Sequence, residues 1–464
     1  MAGRGASIRL YRFTSAFAVT SAFAITSAFG LAAVLAACPA AAEDLLQVYR
    51  EAQRYDAVFA AARYTLDAGR ERIPQGRSLL LPLLTLQANA ASQRFDVTSS
   101  NTAVTPNFGR SVANYGYVLT LSQPVFRPQN TAQWQQADYQ VRQSEAVFAQ
   151  ASQDLALRTA QAYFDVLAAQ DTLALVGAQK AAISEQLAAA KRNFEVGTAT
   201  ITDTHEAQAR YDLIIAQEIA AQNDLESKRR ALETVGGKEY VQLKPLRIDI
   251  RLPPPNPDNM QSWVDIAQKQ AYPVLAQEAA TEVAQLEVKR ASGAQWPTLD
   301  LVGSYGTTRD TGSITIPVGR DTATGQIGLQ FSLPLYAGGS LSSREREAAA
   351  NYLRAREDLE NQRRQAALIT RQTYLAVING NAQVGALEQA LISSQSALDS
   401  NKLGYEVGVR INIDVLNAQQ QLFQTRRDLA VARYNAIINH LKLKAAAGTL
   451  RDEDLEEVDR ALQP

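Results

Sequence analysis

The chain has 464 residues, of which 20% are charged, and a formal net charge of −1. This near-neutral balance gives no support for nucleic-acid binding, which would need a concentrated basic patch. One cysteine and two histidines are too few for a His/Cys metal cluster or a Cys–His dyad, and the carboxylates form no recognisable catalytic pattern. The sequence therefore argues against an enzyme and predicts no cofactor.

Residues 1–42 have the features of an export signal peptide. Three arginines precede a long uncharged segment, which ends in small residues at Ala40, Ala41 and Ala42. A membrane-spanning helix is the competing interpretation, but the small residues favour removal by cleavage after Ala42. A lipoprotein-like box also ends at Cys38, so lipidation of Cys38 stays open as an alternative.

The rest of the chain contains one long unit twice. The segment Phe194–Asp203 returns as Tyr405–Asp414 at an offset of 211 residues, and the same offset pairs Gly237 with Gly448. Such a tandem repeat indicates that function belongs to the assembled architecture more than to a single pocket.

The repeats define the predicted domain organisation. Repeat 1 covers residues 43–252 and repeat 2 covers residues 258–448, each in the order helix, two strands, long helix and short helix. A proline-rich linker at 253–257 separates the repeats. Residues 449–464 are expected to be a solvated acidic tail.

Each repeat is predicted to contain one very long helix. Proline-free stretches carry apolar residues at spacings of 3, 4 and 7, which is typical of a coiled-coil seam. The pattern predicts helices at Asn130–Val196 and Ile201–Val235, about 100 and 50 Å long. Asp44–Arg77 and Pro257–Ser292 are also helical by pattern and about 50 Å long. We therefore expect two short helices, stacked end to end, beside each long helix.

Four strands are predicted, at Leu79–Ala91, Tyr115–Ser122, Leu299–Tyr305 and Gln326–Leu333. In the last of these, apolar residues alternate with small or polar residues, which is typical of a barrel wall. Four strands cannot close a barrel, and open sheet edges are not tolerated in lipid. If the strands lie in a membrane, the chain must oligomerise to supply eight or more of them.

The segments between the paired strands, Ser92–Asn114 and Gly306–Gly325, are rich in polar residues and glycine and are predicted to be solvated loops. Several aromatic residues lie near the strand ends. They suit an aromatic belt at a membrane interface as well as they suit an ordinary core. These residues are Tyr115, Tyr117, Phe126, Tyr305 and Tyr336.

Five motifs, in this order along the chain, resemble signatures of the TolC family of outer-membrane channels. They are Leu79–Pro82, Ala162–Leu167, Trp296–Leu301, Phe331–Gly339 and Ala432–Asn435. The resemblance implies a trimer whose chains supply four strands each to a 12-stranded outer-membrane β-barrel. The barrel would be continuous with a long α-helical coiled-coil tunnel in the periplasm.

The resemblance also implies a function and partners. A homotrimer in the Gram-negative outer membrane, in contact with its lipid, would be a passive exit duct for tripartite efflux or type I protein secretion. It would dock with a periplasmic adaptor protein and an inner-membrane efflux pump or ABC exporter. The alternative is a periplasmic coiled-coil scaffold that bridges envelope layers without transport, although a scaffold has no use for alternating strands.

By the same resemblance, two glycine turns at the tunnel tip would dock the adaptor. The first turn, Val196-Gly197-Thr198, has the usual form of the family. The second, Val407-Gly408-Val409, has valine where threonine is common, which weakens any expectation of identical docking there.

The resemblance assigns the gate and the pore constriction to residues near these turns. Polar links between helices would hold the tip closed, with Asp203–Arg410 as the candidate ion pair. Asp414 would form an acidic ring at the constriction, and Asn417 stands where related channels often carry a second aspartate. A lone helical aspartate is otherwise more often a solvated surface residue. The full set of candidate gating residues is Thr202, Asp203, Tyr405 and Arg410.

Overall fold

The computed structural model describes residues 43–98, 100, 107–247, 253–313, 316 and 318–462. The predicted signal peptide, with Cys38, lies outside these residues. No helix within the described ranges is both long and apolar enough to cross a membrane. The elements in chain order are α1 (Leu45–Tyr55), α2 (Ala57–Arg70), α3 (Arg72–Ser78), β1 (Leu83–Val97), β2 (Phe108–Phe126), α4 (Pro128–Glu195), α5 (Ile201–Gly236), α6 (Met260–Gln270), α7 (Tyr272–Gly293), β3 (Thr298–Asp310), β4 (Arg320–Ser332), α8 (Ser340–Glu406), α9 (Asn412–Ala446) and α10 (Asp452–Asp459).

The four strands form one antiparallel sheet in the order β1-β2-β3-β4. Because directly opposed residues in a sheet point to the same face, the register places apolar residues together. One row across the sheet is Leu84, Leu121, Gly303 and Ile327, and the adjacent row, on the other face, is Thr85, Thr120, Ser304 and Gln326. The sheet thus has an apolar face and a polar face, as the alternation predicts.

The strands are longer than predicted, and the solvated loops are correspondingly shorter. β1 continues to Val97, β2 begins at Phe108, and β3 and β4 extend to Asp310 and Arg320. Polar residues continue the sheet here because the backbone ladder does not depend on side-chain polarity. The ion pair between Arg309 and Asp321, which are directly opposite each other, adds a cross-strand contact.

The aromatic residues near the strand ends are all exposed in the single chain, so they are not part of a core within one chain. Tyr336, which follows β4, is 89% exposed. Their place in an aromatic belt at a membrane interface stays a prediction.

The long helices confirm the coiled-coil prediction. α4 has 68 residues and α8 has 67, while α5 and α9 have 36 and 35. The predicted helical segments Asp44–Arg77 and Pro257–Ser292 are each interrupted, however. Asp56 and Ala271 have extended backbone with ψ of 117° and 129°. Asp56 caps α2, and Pro273 lies in the first turn of α7, so a new helix starts after each break.

The stacked short helices predicted beside each long helix are present. α2 and α3 pack on the first half of α4, where Gly69 lies against Ser144 and Gly76 against Ala137. α5 then runs back along the second half of α4, and α6, α7 and α9 cover α8 in the same way. α7 also packs against α4 and joins the two repeats.

The strand-to-helix connections differ between the repeats. Between β2 and α4, the Arg127 guanidinium donates to both carboxylate oxygens of the buried Asp300, at 2.8 and 2.7 Å. Between β4 and α8 stand Gly338 and Gly339, with φ of 61° and 79°. The first connection is fixed by a bidentate ion pair, and the second depends on glycine backbone.

An ion pair also holds the break between α1 and α2 against α4. Arg158 donates to both carboxylate oxygens of Asp56, at 3.0 and 3.1 Å, and the Phe59 amide donates at 2.7 Å. Burial by itself disfavours the charged form of Asp56, but these hydrogen bonds outweigh it and lower the pKa of the carboxyl group.

The acidic tail is not a solvated segment, so that expectation is wrong. Residues Asp452–Asp459 form α10, and Leu455 is buried in a core shared with α1, α4 and α9. The acids have partners: Asp459 accepts the Leu45 amide at 3.0 Å, and Asp454 pairs with Lys444 at 2.7 Å. These acidic residues therefore hold α10 against the rest of the chain.

Candidate pore and docking site

Two glycine turns connect α4 to α5 and α8 to α9. Gly197 and Gly408 have φ of 77° and 79°, in the region that favours glycine. The residue after each glycine donates its amide to the carbonyl five residues earlier, both at 2.8 Å, in the pairs Thr198–Asn193 and Val409–Gly404. The two turns therefore share one backbone conformation.

The side chains of the two turns differ. Val196 and Val407 are exposed at equivalent positions. The Thr198 hydroxyl donates to the Asn193 carbonyl at 3.1 Å, whereas Val409 has no hydroxyl and is 79% exposed. The second turn therefore presents a more apolar surface than the first.

Asp203 has a structural partner in the first turn of α5. It forms a capping box with Thr200: the Asp203 carboxylate accepts the Thr200 amide at 3.0 Å, and the Thr200 hydroxyl accepts the Asp203 amide at 3.3 Å. The Thr202 hydroxyl also contacts the Thr200 hydroxyl. Both predicted gating residues of repeat 1 are therefore held within their own helix start.

Asp414 stands at the position equivalent to Asp203, but its surroundings differ. Ile411 occupies the position of Thr200, and α9 begins without a side-chain cap. The Asp414 carboxylate lies 3.7 Å from the Arg410 guanidinium instead. Without the capping hydroxyl, this carboxylate takes part in no capping box, although it keeps its charge in the first turn of the helix.

The structure of one chain does not bring Asp203 and Arg410 together. Within the described residues, Asp203 bonds to Thr200, and the ion pair of Arg410 is with Asp414. The link between Asp203 and Arg410 at the closed tip stays a prediction.

Two further polar contacts join the helical hairpins, and each includes a residue that sequence reasoning missed. Asn193 of α4 donates to the Tyr405 hydroxyl of α8 at 3.2 Å. Arg210 of α5 donates to the Asn417 side-chain oxygen of α9 at 3.0 Å. Asn193 and Arg210 could not be found from residue spacing, because these contacts depend on how one hairpin lies against the other.

Comparisons with known proteins agree with this architecture. The model of the family described as "Outer membrane efflux protein" matches residues 48–238 and 263–449. The chain is 33% identical to outer membrane protein TolC of Vibrio cholerae over 91% of this chain and 94% of that protein. It is 32% identical to the proteases secretion protein PrtF of Dickeya chrysanthemi over 90% of this chain and 91% of that protein.

Solved structures show the same fold at lower identity. The Campylobacter jejuni CmeC outer membrane channel superposes with a TM-score of 0.74 at 18% identity, covering 91% of this chain and 90% of that chain. The Vibrio cholerae outer membrane protein VceC superposes with a TM-score of 0.72 at 19% identity, covering 87% and 96%.

The four-stranded sheet, the paired long helices and these matches define an outer-membrane channel subunit. The chain belongs to the outer membrane efflux protein family. This family description names transport and no catalytic activity.

Proposed function

We propose that three copies of this chain form an outer-membrane exit duct that conducts substrates passively from the periplasmic side. The observation that carries the proposal is the sheet, whose apolar face suits lipid and whose polar face suits a water-filled lumen. Three chains would supply twelve strands, which is enough to close a barrel around an aqueous channel.

The edges of the sheet support assembly. β1 and β4 are the two edge strands, and nearly all of their residues are exposed in the single chain. An unpaired edge in lipid leaves backbone N–H and C=O groups without hydrogen bonds. Pairing of β4 of one subunit with β1 of the next satisfies both edges and closes the barrel.

The partners are a periplasmic adaptor and an inner-membrane efflux pump or ABC exporter. The similar proteins include one named for protease secretion, PrtF, and one named for toluene efflux, TtgC, so both cargo classes are open to this chain. The turns around Gly197 and Gly408 would dock the adaptor through the exposed side chains of Val196, Val407 and Val409. The apolar Val409 would favour an adaptor with an apolar complement at the second turn.

The gate and the constriction lie near these turns. Asp414, released from capping, would form an acidic ring around the threefold axis, with Asn417 one helical turn further on. Thr202, Asp203, Tyr405 and Arg410 would hold the closed tip, with the Asp203–Arg410 link made between subunits. Double replacement Asp203→Asn with Arg410→Gln should raise the resting conductance of trimers in planar bilayers. The side-chain oxygen of asparagine at position 203 can still accept the Thr200 amide at the helix start, so the change tests the charge.

Dye accumulation in a strain that lacks its own outer-membrane efflux duct tests the function. Lower accumulation on expression of this chain supports an efflux duct with adaptor-compatible tips. Unchanged accumulation, with heat-modifiable trimers confirmed in the outer membrane, points to a dedicated secretion partner. Absence of such trimers from the outer membrane would contradict the duct and favour a periplasmic scaffold.

A further inference from the structure

The contact between the two helical hairpins differs from the contacts within them. Inside the α8–α9 hairpin, Leu398, Val415 and Leu422 form a buried apolar cluster. Inside the α4–α5 hairpin, Ile183 and Ile214 belong to a similar one. Each hairpin thus has an apolar seam of its own, which favours its persistence as a unit.

Near the tip, α9 presents a largely polar face to the other hairpin. Leu416 of this face packs against Leu187 and Ala207. Asn412 and Gln419, four residues before and three after Leu416, share the face and are 2% and 4% exposed. Among the described residues, neither side-chain polar atom of Asn412 has a hydrogen-bond partner, and the Gln419 oxygen has none. These buried amide groups therefore add little to adhesion between the hairpins.

The same contact is also incompletely packed. A partly open pocket of about 200 Å³ lies among α4, α5 and α9, and its lining includes Arg210, Ile214, Leu416 and Phe423. Side chains that line such a pocket make fewer dispersion contacts across it than side chains of a filled interior make. Near the tip, the hairpins are therefore joined by few contacts besides individual hydrogen bonds.

Arg210 of α5 makes two of the hydrogen bonds that join the hairpins near the tip. Its two terminal nitrogens donate to the Gln420 oxygen at 2.6 Å and to the Asn417 oxygen at 3.0 Å. The two acceptors are three residues apart and so lie on one face of α9. The planar guanidinium group spans them as a fork, which the single ammonium group of lysine cannot do.

We propose that Arg210 is a positioning residue of the gate, which holds α9 against α5 and so keeps Asp414 at the constriction in the closed state. The inference rests on the proposed duct function. Asn417 lies one helical turn after Asp414, so the Arg210 contact acts directly on the helix turn next to the acidic ring. Arg210 also places one positive charge per chain beside Asn417.

Resting conductance of purified trimers in planar bilayers tests the proposal. Arg210→Gln should raise the closed-state conductance several-fold, and Arg210→Lys should also raise it because one ammonium group cannot hold both acceptors. Removing the acceptors, in the double variant Asn417→Ala and Gln420→Ala, should give a similar increase. Combining it with Arg210→Gln should give no further increase, because both changes break the same contact. Additive increases would overturn the proposal.

The matched control is Arg230→Gln on the same helix. Arg230 donates to Glu226 and Glu233 of α5 itself, so its removal takes one cation from the helix without touching α9. The control should leave the resting conductance at the parental value. An equal rise in the control would overturn the proposed role of Arg210 and indicate a general effect of charge on α5.

The ion selectivity gives a second readout that a purely structural residue would not change. Loss of the Arg210 charge should shift the reversal potential in a salt gradient toward cation preference, and an unchanged potential would contradict the placement of this charge near the pore. If Arg210→Gln stays closed while the Asp203 and Arg410 double variant opens, this inference fails and the duct stands. If inserted trimers of every variant fail to conduct, the proposed function itself fails.

Discussion

Four glycines with nearly the same backbone conformation should respond very differently to alanine. Gly197 and Gly408 at the turns have φ of 77° and 79°, and the repeat-equivalent pair Gly237 and Gly448 has φ of 82° and 73°. An added Cβ would meet nothing within 4 Å at either turn. At Gly448 it would lie 2.8 Å from the carbonyl carbon of Gln270, closer than real Cβ contacts.

The expected magnitudes follow from these surroundings. An alanine in the left-handed region costs roughly 1–2 kcal/mol at each position. At Gly448 the backbone of Gln270 must also move, and such overpacking adds about 1–3 kcal/mol. At Gly237 the new methyl group would meet the ring of Tyr55, which is exposed and can turn away, so the added cost is smaller.

The assay is the temperature at which the detergent-resistant trimer dissociates on gels, measured side by side for the four single variants. This temperature reports a rate as much as an equilibrium, so the order of the variants is the quantity to compare. Gly448→Ala should dissociate at the lowest temperature, followed by Gly237→Ala, with Gly197→Ala and Gly408→Ala nearest the parent. Equal dissociation temperatures for Gly448→Ala and Gly197→Ala would refute the steric argument.

Three further predictions concern charge and packing. Asp56→Asn keeps the helix cap and removes the charge that Arg158 binds, so the variant should be about 1–3 kcal/mol less stable at neutral pH. Because the folded state lowers the Asp56 pKa, this stabilisation is present above the unfolded pKa and is lost as pH falls through the folded one. The gap between parent and variant in denaturant midpoint should therefore shrink as the pH falls below about 3.9, the ordinary aspartate pKa, and a constant gap would argue against it. Asp414→Ala should weaken block by polyvalent cations in planar bilayers, and equal block of variant and parent would contradict an acidic ring at the constriction. Leu455→Ala should cost about 2–5 kcal/mol and expose α10 to protease, whereas Leu403→Ala at an exposed position should do neither; resistance of α10 in both variants would argue against its docking through Leu455.

The sequence predicts the regular parts of this fold well, because their signals are periodic. The heptad spacing gives α4 to within two residues and the start of α5 at Ile201. Alternation predicts the central parts of the strands. It does not predict their outer ends, because polar residues such as Arg309 and Asp321 are as compatible with a loop as with a strand. The breaks at Asp56 and Ala271 were missed since the apolar pattern continues across them.

The candidate site is less accessible from sequence. The positions of the glycine turns follow from the repeat itself, and Asp414 is singled out by resemblance. The partners of these residues depend on contacts between segments some 200 residues apart, as for Arg210 with Asn417. No local pattern encodes such a contact, because it is fixed by the rotation and register of one hairpin on another.

Thr200 of repeat 1 corresponds to Ile411 of repeat 2. This difference determines which substitutions the two equivalent aspartates, Asp203 and Asp414, can tolerate. A substitution of Asp203 by a residue without a hydrogen-bond acceptor, such as alanine, alters the charge and also removes half of a capping box. Asp414 makes no capping hydrogen bond, so its substitution removes only the interactions of its charge with Arg410 and with the first turn of the helix. A saturation scan that selects for assembled protein should therefore tolerate at position 414 substitutions that it rejects at position 203. Of the two equivalent aspartates, Asp203 therefore contributes more to the stability of its own helix start.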